Sequence, residues 1–244
     1  MYQPHPVFKD PVDLNEPVWR YMDFSKFVAI LASRSLYFAR ADLLGDPFEG
    51  SYTLQSLETL DMTSRFYGIT EMLSDGASRL RAQRRKEHVI SCWHLNRHES
   101  AAMWSLYLKS SEGLAIQSTY ANLRDCFDFE YPVYLGAVDY LDYKTEAFDT
   151  GNAFIPFLTK RKSFEHEREV RAIVGCASIN PDQSGLPLEV GGANIKVNLE
   201  RLVQAVYVAP TAPQWFTEVV RQTIKQFGFD FDVRQSDLAM DPIF

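Results

Sequence analysis

The sequence predicts an α+β fold: a single domain around a mixed or antiparallel sheet, with a helical insertion. Three observations predict it. Short runs rich in β-branched and aromatic residues recur along the chain, at 18–22, 36–39, 88–93, 113–118, 134–140 and 203–208, and such runs favour strands. They do not alternate with helices in a strict βαβ rhythm, so a doubly wound parallel sheet is not expected. Residues 54–87 are helical in composition, and 213–227 form the clearest helix, with Phe216, Val219, Val220, Ile224 and Phe227 on one stripe.

The elements follow in order. Residues 1–17 carry Pro4, Pro6, Pro11 and Pro17 and read as an extended lead-in. Residues 18–244 then form the single α+β domain, with the helical insertion at about 52–87. After the first strand, Asp23 or Ser25 caps a helix whose Phe24, Phe27, Val28 and Leu31 are at helical spacing. Residues 45–50 have turn chemistry. Gly68 and Gly76 are expected breaks in the insertion, and 100–109 a short helix. Residues 154–162 read as a helical turn, 188–197 as a further strand, and Pro213 and Gly228 open and close the last helix.

Composition narrows the function. The 244 residues are 46% hydrophobic and 14% aromatic, enough for a sizeable core. A net charge of −7 argues against non-specific binding of nucleic acid, although Arg79, Arg81, Arg84, Arg85 and Lys86 form a local basic patch. Cys92, Cys126 and Cys176 lack metal-ligand spacing, which suits reduced thiols in a cytoplasmic protein. Neither a membrane span nor a secretory signal is visible. His94 and His98 share i,i+4 spacing, but Leu95 stands where a zinc-protease helix carries its glutamate, so no metal is expected there. Glycine-rich phosphate loops and nucleophile elbows are absent.

The most informative stretch is 164–174, an apolar β-type run preceded by charge. Period-two geometry puts Glu167, Glu169 and Arg171 on one strand face. That face is either solvated or lines a cleft where charge is wanted. Other polar residues sit among aromatics: Arg20 between Trp19 and Tyr21, Asp46 and Glu49 around Pro47 and Phe48, and His94 after Trp93. Trp104 and Tyr107 share a helical spacing. Asp46, Glu49, His94, Trp104 and Arg171 are therefore cleft candidates, with turn, core and ion-pair roles as their plain alternatives.

Three blocks carry a resemblance. The first is Trp19, Arg20 and Tyr21, then Leu36, Tyr37 and Phe38, then Asp46, Pro47, Phe48 and Glu49. The second is Ser91, Cys92 and Trp93, then Met103, Trp104 and Tyr107, then Gly113, Leu114, Ala115 and Ile116. The third is Lys160 with Phe164, Glu167, Glu169 and Arg171. In order and spacing they resemble the bacterial family called domain of unknown function 2971. The chain is also similar to the ADP-ribosyltransferase fold of the arginine–serine–glutamate type. That resemblance implies an NAD-using enzyme, a toxin or defence effector, whose partners are a small-molecule nucleotide and a macromolecular acceptor. It implies that Arg20 holds the dinucleotide, Ser118 and Thr119 approximate the middle motif, and Tyr21 or Tyr107 stacks on nicotinamide. Glu169 would be the catalytic glutamate and Glu167 the acid that positions the acceptor.

The chemistry is coherent. Cleaving the nicotinamide–ribose bond creates an oxocarbenium-like cation, which a fixed carboxylate stabilises. An arginine matches a diphosphate. Arg20 and Glu169 are expected to lie in one cleft with their side chains converging, and an Arg20 pointing to the opposite side of the sheet from Glu169 would end the transferase reading. The alternatives are a non-catalytic ligand- or partner-binding protein with a closed charge network, and a metal-dependent nucleic-acid enzyme using Asp46, Glu49, Glu167 and Glu169.

Overall fold

The computed structural model describes residues 1–67, 75–128, 130–175, 191–240 and 242. Gly68, Cys176 and residues 188–190 of the expected strand lie outside them. The chain runs β1 (Pro17–Asp23), α1 (Phe24–Ser33), β2 (Ser35–Arg40), α2 (Leu54–Tyr67), α3 (Asp75–Lys86), β3 (His88–Leu95), α4 (Ala101–Tyr107), β4 (Gly113–Thr119) and α5 (Tyr120–Asp125). It continues with β5 (Tyr134–Ala137), β6 (Asp139–Leu141), β7 (Thr159–Arg161), β8 (Glu169–Gly175), β9 (Gly192–Lys196), α6 (Leu199–Leu202), β10 (Ala205–Val208), α7 (Gln214–Gln226) and β11 (Asp232–Gln235).

The architecture is α+β around a mixed sheet. The order β11-β10-β4-β1-β3-β2-β9 is antiparallel except at β10–β11, and β8 and β5 extend from the other edge of β3. β6 and β7 pair separately and in parallel. Side-chain alternation gives the sheet two faces. Val18 and Met22 of β1, Leu114 and Ile116 of β4, Val170, Ala172 and Val174 of β8 and Val206 of β10 bury one face. Phe27 and Leu31 of α1 and Phe216, Val220 and Ile224 of α7 cover it. The other face carries two smaller clusters, one of Trp19, Tyr21, Met103, Trp104 and Tyr207, the other of Phe8, Ile90, Phe157 and Ile173.

Several expected elements take a different form. Asp23 is the N-cap of α1 but makes no side-chain cap bond. Gly76 lies inside α3 rather than breaking it. The expected strand at 134–140 is interrupted at Val138, whose N–H donates to the Glu169 carbonyl. Residues 154–162 are not one helical turn: a 3-10 turn (Ile155–Phe157) leads into β7. The last helix keeps its expected bounds: Pro213 is the N-cap of α7, and Gly228 follows its end at φ 84°.

One feature of the sheet positions everything that follows. β3 pairs with β8 from His88 to Gly175 across to His94 and Glu169. Its other edge is shared. β1 pairs with β3 at Val18↔Leu95 and Trp19↔His94, and β2 pairs with β3 at Ala39↔Ile90 and Arg40↔Val89. Between those ends β1 and β2 part, leaving the middle of β3 facing an opening in the sheet.

Candidate functional site

Arg20 stands at that opening. It has the parity of Val18 and Met22, so it leaves β1 on the α1 side of the sheet. Its Nη1 donates to Ser91 Oγ at 2.5 Å and its Nη2 to the Tyr37 carbonyl at 3.0 Å, which bridges the parted strands. The guanidinium lies 5.7 Å from the Trp93 ring centroid. No carboxylate among the described residues forms an ion pair with it. Burial lowers its pKa to about 10, so it stays cationic at neutral pH. A half-buried cation without a counter-charge favours an anion beside it.

The carboxylates lie on the opposite face. By register Glu169 pairs with His94, and Arg171 with Cys92, both away from Trp93 and Ser91. Arg20 and Glu169 do line one cavity, but strand alternation sends them to opposite sides of the sheet, so the expectation that their side chains converge is corrected. The expectation that Glu167 belongs to the strand is corrected as well. Glu167 ends a 3-10 turn (Lys162–Glu167), and Arg168 takes a left-handed φ of 39°, so β8 begins only at Glu169. Lys160 rejoins the two acids, with Nζ 2.7 Å from Glu167 Oε2 and 2.5 Å from Glu169 Oε1.

Behind this pair the network closes. Arg171 is fully buried. Its Nε donates to Glu169 Oε2 at 2.6 Å, and its Nη1 and Nη2 fork onto Glu49 at 2.7 and 2.8 Å. Nη1 also donates to the Phe157 carbonyl. Glu49 is placed by a turn in which Gly50 adopts φ 68°, beside Phe157. Asp46 is not a bare cleft acid, since Arg161 pairs with both its oxygens at 2.8 and 3.1 Å and it accepts from the Phe48 N–H. Arg161 in turn lies 4.4 Å over the Phe48 ring.

The proton affinities of the two glutamates diverge. Burial, a hydrogen bond shared with Glu169 and that neighbour's charge outweigh Lys160 and push Glu167 up to about 7. Burial works against the Glu169 carboxylate too, but Arg171, Glu167 and Lys160 together hold it far below the usual range. Lys160 is raised against the effect of its own burial, chiefly by Glu169. Glu169 is thus a fixed anion with both oxygens in ion pairs, whereas Glu167 changes protonation near neutral pH. His94 touches the same group: its Nδ1 is 2.6 Å from the Glu167 carbonyl. A carbonyl only accepts, so Nδ1 carries the proton, and Nε2 is left as a buried acceptor with no hydrogen-bond partner among the described residues. Burial lowers the His94 pKa, which keeps the ring neutral.

A cavity of about 800 Å³ runs through the opening and joins the two faces. Arg20, Trp93 and the α1 residues Lys26, Ala29, Ile30 and Ser33 line it on one side. Tyr21, His94, Tyr107, Asp46, Glu49, Lys160, Glu167 and Glu169 line it on the other. Three candidates are not among its lining residues. Ser118 is fully buried on the face of Leu114 and Ile116, its hydroxyl donating to the Thr119 carbonyl, so it does not meet a ligand here. Trp104 is buried edge-on against Tyr21, with Nε1 on Glu99. Arg171 lies behind Glu169 and Glu49. Lys160, Arg161 and Lys26 were not singled out as site residues. Lys160 carried the only signal, as a lysine shortly before the charged run.

Trp104 and Tyr107 separate on stability. Trp104→Ala is expected to cost about 3–5 kcal/mol in urea unfolding, the range for deleting a buried aromatic. Tyr107 is 43% exposed and its ring reaches the cavity. Tyr107→Phe should leave the unfolding midpoint in place while weakening ligand binding. An unfolding loss for Tyr107→Phe equal to that of Trp104→Ala would return Tyr107 to the core.

Among the described residues no three His, Cys, Asp or Glu side chains are grouped to hold a metal ion. Lys160 and Arg171 occupy the space between Glu49, Glu167 and Glu169 that the metal-dependent alternative needs. No described helix is long and apolar enough to cross a membrane.

No family model matches the chain, so the likeness to domain of unknown function 2971 stays a resemblance, and no curated protein matches it either. Two solved structures are similar in outline. One is Thermus sp. 2.9 DarT in complex with ADP-ribosylated ssDNA, at 10% identity and a TM-score of 0.42, covering 94% of this chain and 98% of that one. The other is Thermus sp. 2.9 DarT in complex with carba-NAD+, at 9% identity and a TM-score of 0.40, covering 93% and 97%. At these scores the likeness assigns no residue of this chain a role.

Proposed function

We propose that the cavity binds NAD and that the chain is an ADP-ribosyltransferase-like enzyme. The observation that carries this reading is a cavity that connects an arginine with no carboxylate ion-pair partner among the described residues to a glutamate whose pKa is raised to about 7. Its volume of about 800 Å³ falls within the range of about 300–1,000 Å³ usual for small-molecule sites. A ligand threading the opening puts an anionic group at Arg20 and its reacting end at the glutamates. NAD has that polarity, with a diphosphate at its centre and a pyridinium–ribose bond at one end.

The roles of the two glutamates are exchanged relative to the sequence expectation. Glu169 has both oxygens in ion pairs, so its charge is largely balanced by Lys160 and Arg171. It holds Lys160, and Lys160 holds Glu167. The glycosidic C–N bond breaks and its electron pair leaves with the nicotinamide nitrogen. The acceptor nucleophile then bonds to the ribose C1′ and gives its proton to ionised Glu167. Ionised Glu167 also stabilises the oxocarbenium charge before attack. Tyr21 and Tyr107 supply apolar faces for the leaving ring. In this reading the acceptor is a macromolecule and the enzyme a toxin or defence effector.

A second reading rests on two observations, the pairing of both Glu169 oxygens and the position of Arg20 on the opposite side of the sheet from Glu169, which was set against the transferase, and it makes the chain a non-catalytic nucleotide-binding protein. The test is calorimetric titration with NAD followed by a nicotinamide-release assay. Binding with release supports the transferase. Binding without release supports the second reading. An absence of NAD binding removes both.

A further inference from the structure

Resting on the reading of the cavity as an NAD site, we infer that one face of α1 is a nucleoside-diphosphate subsite, with Lys26 as the second phosphate-binding cation. Lys26, Ala29, Ile30 and Ser33 all line the cavity, and their spacing of i, i+3, i+4 and i+7 is that of one helix face. The face is otherwise small and uncharged. Lys26 is exposed, and no carboxylate among the described residues forms an ion pair with it. Arg20 leaves β1 on this same side of the sheet and also lacks a carboxylate partner.

Two unpaired cations on one side of the opening match two adjacent phosphates better than one. Beyond Lys26 the small side chains of Ala29 and Ser33 leave a slot along the helix. Ile30 forms an apolar part of its wall, and Ser35 and Tyr37 of β2 border it. A flat base fits there, against side chains that do not clash with its ring. The subsite thus orients the dinucleotide, with its nucleoside diphosphate on the α1 side and its glycosidic bond beyond the opening at Glu167.

The test is calorimetric titration of the full chain with ADP, AMP and adenosine, for the wild type, Lys26→Gln and Ala29→Phe. Both positions are exposed, so thermal unfolding should be unchanged in both variants. The wild type should bind ADP at least 10-fold more tightly than AMP. Lys26→Gln should erase that preference, and Ala29→Phe should abolish binding of both nucleotides. Lys26→Gln should also raise the KM for NAD without lowering kcat. Undiminished ADP affinity in both variants, or no ADP binding by the wild type, overturns the subsite. The expected ADP pattern without nicotinamide release would uphold the subsite and sink the transferase reading. Nicotinamide release with an unchanged KM in both variants would do the reverse.

Discussion

Arg171→Met is expected to destabilise the protein by about 3–5 kcal/mol, the usual cost of removing one partner from a buried ion pair. Arg171 is fully buried and is the counter-charge for both Glu49 and Glu169. Methionine fills much of the same space but leaves two carboxylates facing each other out of water. Lys160, already shared with Glu167, cannot neutralise both. Urea unfolding should show a lower midpoint with an unchanged slope. A loss below about 1 kcal/mol would mean that the network is solvated, as exposed ion pairs are. Glu169→Gln should behave similarly, because it strands Lys160 and Arg171, so any loss of activity there is inseparable from a loss of fold.

Glu167→Gln is expected to do the opposite. It keeps the shape of the side chain and removes a proton acceptor, so nicotinamide release should fall about 10²-fold or more. Stability at neutral pH should change little, since Glu167 is already partly protonated there and glutamine replaces that neutral form. The signs follow from the two shifts. Glu167 is raised from 4.5 to about 7, so its contribution to stability is complete at acid pH and is lost as pH rises across that interval. Glu169 is lowered, so its contribution is present above the ordinary carboxylate range and is lost on acidification. Wild-type stability should therefore peak between these limits, and Glu167→Gln should flatten its decline toward neutral pH. Activity should rise as Glu167 ionises near pH 7. A variant that keeps the wild-type rate, or the same rise with pH, would remove Glu167 from the chemistry.

The sequence made the strands and the last helix legible because each is coded locally. Val18 and Met22, or Phe216, Val220 and Ile224, declare a period within a few residues. Ser118 was expected at the site through the resemblance, although alternation already placed it with Leu114 and Ile116 on the buried face. The position of Glu167 was not legible. Only the left-handed Arg168 takes it off the strand, and arginine carries no signal for that conformation. β7, at three residues, is too short to show a period, so Lys160 arrived without an element to place it. The parting of β1 from β2 depends on which strands pair, and pairing is a property of distant segments rather than of either strand.

That parting also makes β3 the hub of the sheet. Among the described strands, β1 brings β4, β10 and β11, β2 brings β9, and β8 brings β5, and the three groups meet only at β3. Each group also sends side chains to the cavity, among them Arg20 from the first, Tyr37 from the second and Glu169 from the third. A molecule lodged there touches all three at once. It acts as a keystone, and its binding energy adds to the cohesion of the whole sheet rather than to one wall of a pocket.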